Sequence, residues 1–403
     1  MASPSPLNIS FFSGKFKKES KNKLTLLCFK YDFLIQFTMK QRFVIASALI
    51  ALGFFMSCSQ AENVTLPESV AHRGCWLKDG NEFYINENCP AGVKMAARYG
   101  YPAIECDVKY TLDSVMVIMH DGTINRTMRN AADYSKIEEP VHVKDLTYEQ
   151  LRSGYVLEST DPALRTPIPT FREELEACKE YGIVPMLHSA IVESYKLAQE
   201  ILGDNWIGFS SDKAPLDEIR SFSNCLILLD PGRVPASTAI ANASSFGGRY
   251  GISTMKHDML IKPYIDSLKA AGCEVQASIF PTPKEQRAVM EGVTIQLSDF
   301  WWHQDEGRQA YDSKTCKKLS LGEGQSFEWA AASAPEFTAL TLDLEFTGSI
   351  EVTMPGNRKY AFNHAEPGRE VLGLRLYKKA PAISIKALGD VRIKKLEAKA
   401  YEL

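Results

Sequence analysis

The sequence predicts an α/β protein in which a barrel of eight βα units is followed by a small C-terminal β-sandwich-like domain. From about residue 68, short β-branched segments alternate with helix-like segments, a pattern typical of parallel strands joined by crossover helices. After residue 317 the chain changes to short alternating runs separated by Gly, Pro and Asn, which indicates antiparallel strands. The length of 403 residues also exceeds what one barrel usually needs, about 250. We therefore expect the barrel at 68–317 and the β-rich domain at 318–403.

The N-terminal segment resembles a bacterial lipoprotein signal peptide. Lys40 and Arg42 precede an apolar run at 43–56, and the small residues Ser57 and Cys58 follow this run. We expect Cys58 to be acylated, residues 59–67 to form a tether, and the protein to be anchored by lipid in the bacterial envelope, facing the periplasm. An uncleaved membrane anchor is the alternative. Residues 1–38 show no organised pattern and are expected to be a non-native extension, with translation starting at Met39.

Eight strands are expected in the barrel. They are SVAHRG (69–74), AIECDVKYT (103–111), IVPMLHSA (183–190), WIGFSSD (206–212), CLILLD (225–230), RYGISTM (249–255), CEVQASIF (273–280) and TIQLSDF (294–300). Segments such as FREELEACKEY between them have apolar residues at helical spacing. The long interval at 112–168 is expected to be a loop on the active-site face.

Composition narrows the class of ligand. The net charge of −3 provides no basic surface for nucleic acid. The nine cysteines form no CxxC pair, so most are expected to be small buried hydrophobes.

Two acidic side chains lie within the second predicted strand. Glu105 and Asp107 are two residues apart in a strand, so both side chains point the same way and can converge on one cation. Such a pair within an apolar strand is costly without a partner. Carboxylate oxygens favour Ca²⁺ or Mg²⁺.

His72 and His120 also lie at strand ends, and imidazole exchanges protons near neutral pH. Cleavage of a phosphodiester requires a group that assists the attacking oxygen and a group that protonates the leaving oxygen. Arg73 is suited to hold phosphoryl oxygens while negative charge develops. This combination predicts a metal-dependent phosphodiesterase.

Several phrases of the sequence resemble the glycerophosphodiester phosphodiesterase family. They are HRG, the stretch ENCPAGVKMAARYG, then IECDVKYTLDSVMVIMHD, NRT, and KDLTYEQLRSG followed by TPIPTFREELEAC. The resemblance extends over about 68–300. It implies a TIM barrel, an acid/base pair at His72 and His120, phosphate binding by Arg73, and a Ca²⁺ or Mg²⁺ site at Glu105 and Asp107. It also implies attack by the neighbouring glycerol hydroxyl, a cyclic phosphate intermediate, and release of glycerol phosphate and an alcohol.

The chain departs from the family at the third and seventh strands. The family's Glu-x-Lys is replaced by His188, Ser189 and Ala190. His188 is either a nitrogen ligand, which would favour Zn²⁺ or Mn²⁺, or a residue that fills space or contacts substrate. A family tryptophan is replaced at Phe280, which is expected to line the substrate pocket.

Other features leave alternatives open. Trp301, Trp302 and His303 are expected at the joint between the domains rather than in a pocket. Cys75 and Cys89 lie in one loop, and their spacing does not decide whether they pair. The C-terminal domain is expected to have a packing role, with binding of a glycan or a partner as the alternative. Two other functions remain: a cyclising, phospholipase-like phosphodiesterase, and a non-catalytic lipoprotein that binds a phosphate ligand.

Overall fold

The structure is a computed structural model that describes residues 68–254, 256, 258–279, 292–299, 301 and 308–403. In the first part of the chain its elements are β1 Glu68–Ala71, β2 Leu77–Asp79, β3 Glu82–Ile85, α1 Pro90–Tyr99, β4 Ala103–Tyr110, β5 Met116–Ile118, β6 Met128–Asn130, α2 Tyr148–Gly154, β7 Tyr155–Leu157, α3 Phe171–Tyr181, β8 Val184–His188, α4 Val192–Leu202, β9 Ile207–Ser210, α5 Lys213–Ile219, β10 Leu226–Leu229, α6 Ala236–Ser244, β11 Tyr250–Thr254, α7 Lys262–Ala270, β12 Glu274–Ile279 and β13 Ile295–Ser298.

Eight parallel strands within this described region form a closed barrel. Their order is β1, β4, β8, β9, β10, β11, β12 and β13, and β1 pairs with both β4 and β13 to close the sheet. Each predicted strand is present, so the (β/α)8 prediction is confirmed. None of the described helices is long and apolar enough to cross a membrane.

Local sequence signals define α3, which packs on the outside of β8. Thr170 caps its first turn, and the Glu173 carboxylate accepts a hydrogen bond from the backbone N–H of Thr170, which completes a capping box. Gly182 ends the helix in the left-handed conformation (φ 69°), which glycine adopts without a steric penalty.

The interval predicted as a loop contains short elements of its own. β5 pairs antiparallel with the carboxyl end of β4, and Val108 faces Ile118. The chain then forms the β6–β7 pair and α2. The insertion therefore begins at the end of β4 where function was predicted.

The C-terminal sheet comprises β14 Asp312–Leu321, β15 Ser326–Ala330, β16 Phe337–Met354, β17 Arg358–Tyr377, β18 Ala382–Ala387 and β19 Val391–Glu402. ALTLDLEF and SIEVTM, which read as two of the short alternating runs in this part of the sequence, form the single strand β16. A register irregularity between Phe346 and Gly348 divides it. Its first part pairs with β19 and its second with β18, so the halves have different neighbours. This irregularity explains why one strand looked like two.

Trp301 joins the barrel to this sheet. Its indole Nε1 donates to the carbonyl of Tyr99 at 2.8 Å, and its backbone N–H donates to Gly373 at 3.3 Å. Its ring lies 5.4 Å from that of Tyr401. The side chain is fully buried, which agrees with the predicted position at the joint.

Candidate functional site

The register of the barrel strands brings the predicted residues to one end of the sheet. Ala71 pairs with Ile104, and Asp107 pairs with His188. His72 therefore emerges beside Glu105. The carboxyl ends of barrel strands are where TIM-barrel active sites form.

Glu105, Asp107 and His188 form a compact cluster. The Nδ1 atom of His188 lies 3.6 Å from Oε1 of Glu105 and 3.3 Å from Oδ1 of Asp107. One potential ligand atom from each residue lies within 4.8 Å of the others. Both acids are buried, and the His188 ring packs against Phe209 at 4.6 Å. Two oxygens and one nitrogen at this spacing are a suitable donor set for a divalent cation.

The cluster shifts the pKa of its own members. Burial raises the pKa of Asp107, but the hydrogen bond and charge of His188 outweigh burial and lower it to about 2. Burial lowers the pKa of His188, but hydrogen bonds to Asp107 and Glu105 outweigh it and raise the value to about 10. These contacts favour the protonated imidazole, so a cation that bound through Nδ1 would have to displace this proton.

His72 is held by Asp299, which directly follows β13. The Nδ1 atom of His72 lies 3.1 Å from Oδ1 of Asp299. Burial lowers the pKa of His72, but the hydrogen bond to Asp299 and the charges of Glu105 and Asp299 together raise it above the usual value. Asp299 thus fixes the ring and favours its protonated form.

Arg73 follows in the left-handed region, with φ 54°. Its backbone N–H donates to Oε2 of Glu105 at 2.9 Å, and its Nη1 lies 3.5 Å from Glu87. Its Nε is buried and has no hydrogen-bond partner in the described part of the chain. An unsatisfied guanidinium donor beside the carboxylate cluster suits a phosphoryl oxygen.

His120 is held by a second carboxylate. Its Nδ1 lies 2.7 Å from Oδ1 of Asp121, and Arg126 donates to Oδ2 of the same side chain at 2.7 Å. Burial raises the pKa of Asp121, but hydrogen bonds from Arg126 and His120 lower it to about 2. Arg126 also binds both oxygens of Glu87, at 2.8 and 2.6 Å. This chain of contacts continues to Arg73 through Glu87.

Asn88 supports the carboxylate cluster from behind. Its Nδ2 donates to Oδ2 of Asp107 at 3.2 Å, and its Oδ1 accepts from the Asp107 backbone at 3.1 Å. Its φ is 51°, a conformation that asparagine tolerates better than most residues.

The altered third strand contains no charged replacement for the family lysine. Ser189 accepts a hydrogen bond from the backbone of Ile191 at 3.0 Å. Its carbonyl accepts a hydrogen bond from the Tyr195 hydroxyl. Ala190 is exposed. His188 is the one of these three residues that contributes a potential ligand atom to the described cluster.

Other predicted residues lie elsewhere. Cys75 and Cys89 are free thiols: Cys89 donates to the carbonyl of Asn86 at 3.2 Å, and Cys75 faces Arg375. Six of the seven described cysteines are buried, as predicted. Phe280, Cys58, Trp302 and His303 fall outside the described residues.

A cavity of about 300 Å³ lies at the opposite end of the barrel. Glu68, Ala103, Val184 and Ile207 line it. These are the first residues of their strands or lie close to them, so this cavity is separate from the histidines.

Known proteins match the first part of the barrel sequence. Residues 72–197 match the glycerophosphoryl diester phosphodiesterase family. The chain is 32% identical over 115 residues to glycerophosphodiester phosphodiesterase 1 of Rattus norvegicus, covering 27% of this chain and 30% of that protein. It is 29% identical over 120 residues to the Homo sapiens protein of the same name, covering 28% and 31%. The chain thus spans about a third of these relatives.

Solved structures with a similar barrel include an Oleispira antarctica phosphodiesterase in complex with the product sn-glycerol-3-phosphate, which is 20% identical. It covers 58% of this chain and 93% of that chain, with a TM-score of 0.45. A glycerophosphoryl diester phosphodiesterase from Parabacteroides distasonis is 19% identical and covers 59% and 84%, also with a TM-score of 0.45.

Sequence reasoning missed the residues that hold the histidines and acids. Asp121 directly follows His120, and Asp299 directly follows the eighth barrel strand. The rule that placed the histidines at strand ends applies to both. Glu87 and Asn88 stood within the phrase that resembles the family, but nothing in their spacing indicated their partners.

Proposed function

We propose that the chain is a divalent-metal-dependent phosphodiesterase that hydrolyses glycerophosphodiesters, or related phosphodiesters of the cell envelope, to glycerol phosphate and an alcohol. The observation that carries the proposal is the gathering of two carboxylate-held histidines, a carboxylate pair and Arg73 at one end of the barrel. The family match over 72–197 supports it.

His72 and His120 have equivalent settings for proton transfer. A carboxylate accepts from Nδ1–H in each ring, Asp299 in one and Asp121 in the other. This hydrogen bond leaves Nε2 as the nitrogen that gains or loses the transferred proton. One histidine takes the proton of the attacking hydroxyl, and the other gives a proton to the leaving alkoxide.

Arg73 and the Glu105, Asp107 and His188 cluster form the phosphate and metal pocket of this proposal. The mixed oxygen and nitrogen donors are compatible with Ca²⁺ and Mg²⁺ and extend the choice to Mn²⁺ and Zn²⁺. A cation held by these residues would neutralise charge on the phosphoryl oxygens. Arg73 orients the same oxygens through its unsatisfied Nε.

The reaction proceeds in two displacements at phosphorus. The glycerol hydroxyl next to the phosphate forms a new P–O bond while the bond to the alcohol breaks, and the alcohol leaves with one proton. Water then opens the cyclic phosphate and yields glycerol phosphate. His72 and His120 exchange acid and base roles between the two steps.

Turnover of glycerophosphocholine by the His72→Ala and His120→Ala variants tests the proposal. Each substitution should reduce kcat by a factor of roughly 10²–10⁴, while the melting temperature stays near that of the unmodified protein. Full turnover in both variants would exclude the mechanism. Accumulation of a stable cyclic phosphate would favour the phospholipase-like alternative.

Titration of the metal-stripped protein with Mg²⁺, Ca²⁺, Mn²⁺ and Zn²⁺ tests the cation. His188→Ala should weaken binding of the activating metal roughly 10- to 100-fold. His188→Glu should shift the metal preference towards Mg²⁺ and Ca²⁺. An unchanged ranking in both variants would mean that His188 is not a ligand. If no metal supports hydrolysis of any phosphodiester by the unmodified protein, the phosphate-binding lipoprotein becomes the better description.

We also propose that acylation of Cys58 attaches the protein to the bacterial envelope, facing the periplasm. The basic residues, apolar run and small residues of 39–58 support this location. Metabolic labelling with a fatty acid should mark the unmodified chain and not Cys58→Ser. Resistance of the protein to protease in intact cells and sensitivity after outer-membrane permeabilisation would support the periplasmic orientation, whereas cleavage in intact cells would contradict it.

A further inference from the structure

A polar cavity lies where the β2–β3 hairpin of the barrel meets the C-terminal sheet. Its volume is about 230 Å³. Its lining comes from Trp76 and Lys78 of the barrel, from the turn that follows β16, and from residues 374–377 and 379 at and after the end of β17. Asp299, the partner of His72, lines the same cavity. The cavity therefore adjoins the candidate catalytic site and is built in part by the second domain.

The lining carries an excess of positive charge. Lys78, Arg358, Arg375 and Lys379 all line the cavity, whereas Asp299 is its single carboxylate among the described residues. None of these four cations forms an ion pair with another described residue. Unpaired cations that converge on a concave surface create a positive potential that attracts anions.

Two lysines that are next to these cations in sequence form ion pairs outside the cavity. Lys359 lies 2.9 Å from Glu351, and Lys378 lies 3.6 Å from Glu336. Arg358 and Lys379 are next to these lysines in sequence and line the cavity instead. The chain therefore pairs the lysines outside the cavity with carboxylates, and the cations that line the cavity form no such pair among the described residues.

Arg375 provides a second, independent observation. Its guanidinium lies over the rings of Trp76 and Tyr101, with its carbon 5.4 and 5.5 Å from their centroids. Its Nη1 is buried and has no hydrogen-bond partner among the described residues. A buried donor without a partner is costly, and an oxyanion is the ligand that a guanidinium binds best.

We propose that this cavity binds a compact oxyanion of the phosphate type. Its volume fits one anionic group better than a whole diester. The source is either a second phosphate on the alcohol part of the substrate, a reading that rests on the proposed function, or free inorganic phosphate. In both cases the C-terminal sheet supplies cations next to the candidate catalytic pocket. In that pocket, Ala190 follows the third barrel strand at the position where the family has a lysine.

Binding of inorganic phosphate tests the cavity without any assay of hydrolysis. The measurement uses the Arg73→Gln background, which removes the cation assigned to the catalytic phosphate. There, Arg358→Gln with Lys379→Gln should weaken phosphate binding at least roughly tenfold, through loss of two charged partners. The matched control, Lys359→Gln with Lys378→Gln, should bind as the background does. Equal binding by the two double variants, or no binding by the background protein, would overturn the proposal.

Turnover distinguishes the two sources of the oxyanion. On an otherwise unmodified chain, Arg358→Gln with Lys379→Gln should reduce kcat/KM for glycerophosphoinositol phosphate roughly 10- to 100-fold. The same variant should hydrolyse glycerophosphocholine as before. Loss of phosphate binding with unchanged turnover of both diesters would overturn the substrate reading and support a site for free phosphate. If the unmodified chain hydrolysed neither diester, the proposed function would fail, and the binding experiment would still decide the cavity.

Discussion

The Nδ1 atom of His72 lies 3.1 Å from the Oδ1 atom of Asp299, so a residue that follows the first barrel strand is held by one that follows the last. Closure of the barrel between β1 and β13 creates this contact, because Ala71 and Ser298 are in register. The pair connects the candidate catalytic site with the cavity at the C-terminal sheet.

Replacement of Asp299 by Asn should impair His72 without removing it. The carboxylate hydrogen bond raises the pKa of His72 against the effect of burial, so its loss should lower that pKa. We expect kcat/KM to fall by roughly one to two orders of magnitude, the value of one charge-assisted hydrogen bond. The limb of the pH profile that reports His72 should move to lower pH. Asp266→Asn, at an exposed position, serves as the control, and an identical profile for Asp299→Asn would argue against a positioning role.

Two substitutions of Asn88 should separate its hydrogen bonds from its backbone conformation. Both Asn88→Ala and Asn88→Gly lose the two hydrogen bonds to Asp107. Only alanine also carries a Cβ at φ 51°, which costs about 1 kcal/mol more. We expect Asn88→Ala to be the less stable variant in urea unfolding, and both variants to bind the activating metal more weakly. Metal affinity equal to that of the unmodified protein in Asn88→Gly would show that Asp107 does not need this support.

Glu174 should make the stability of the protein depend on pH. It lies on α3, and neither carboxylate oxygen has a hydrogen-bond partner among the described residues. Burial raises its pKa to about 8. Between the unfolded pKa near 4.5 and the folded pKa near 8, the unfolded chain releases this proton and the folded chain keeps it. The contribution of Glu174 to the free energy of unfolding is therefore complete below the pKa of the unfolded chain. It is lost as pH rises towards the folded pKa, by up to about 1.4 kcal/mol per pH unit.

Glu174→Gln removes this titration while keeping the shape of the side chain. Its unfolding free energy should exceed that of the unmodified protein at pH 8, and the difference should shrink towards pH 5. Glu176→Gln on the exposed face of the same helix should leave the pH dependence as it was. A parallel pH dependence for Glu174→Gln and the unmodified protein would contradict the raised pKa.

Gly373 should be essential to the joint between barrel and sheet. A Cβ at this position would come within 1.7 Å of the Trp301 carbonyl oxygen, and both partners are backbone segments. Gly373→Ala should therefore destabilise the protein by more than about 3 kcal/mol, as expected of a clash that requires backbone movement. Gly389→Ala, where a Cβ meets nothing within 4 Å, provides the control. Equal melting temperatures for the two variants would mean that the joint can adjust.

Much of the fold could be predicted from the sequence because the relevant signals are local. Barrel strands that are buried on both faces produce continuous β-branched runs, and Thr170, Glu173 and Gly182 mark the two ends of α3. The C-terminal sheet was harder to divide into strands. β14 has a mostly exposed, lysine-rich pattern, and β16 contains an irregularity that resembles a turn.

The sequence by itself determined which chemical groups the protein has, and that His72, Arg73, Glu105, Asp107 and His120 meet at one end of a barrel. This followed from two local rules: strand periodicity, and the position of strand ends in a parallel sheet. Only the tertiary structure decided what each group contacts, because such contacts join segments far apart in the chain. The closed sheet set His72 against Asp299, strand register set His188 between Glu105 and Asp107, and packing of the second domain brought Arg358 and Arg375 to the cavity beside them.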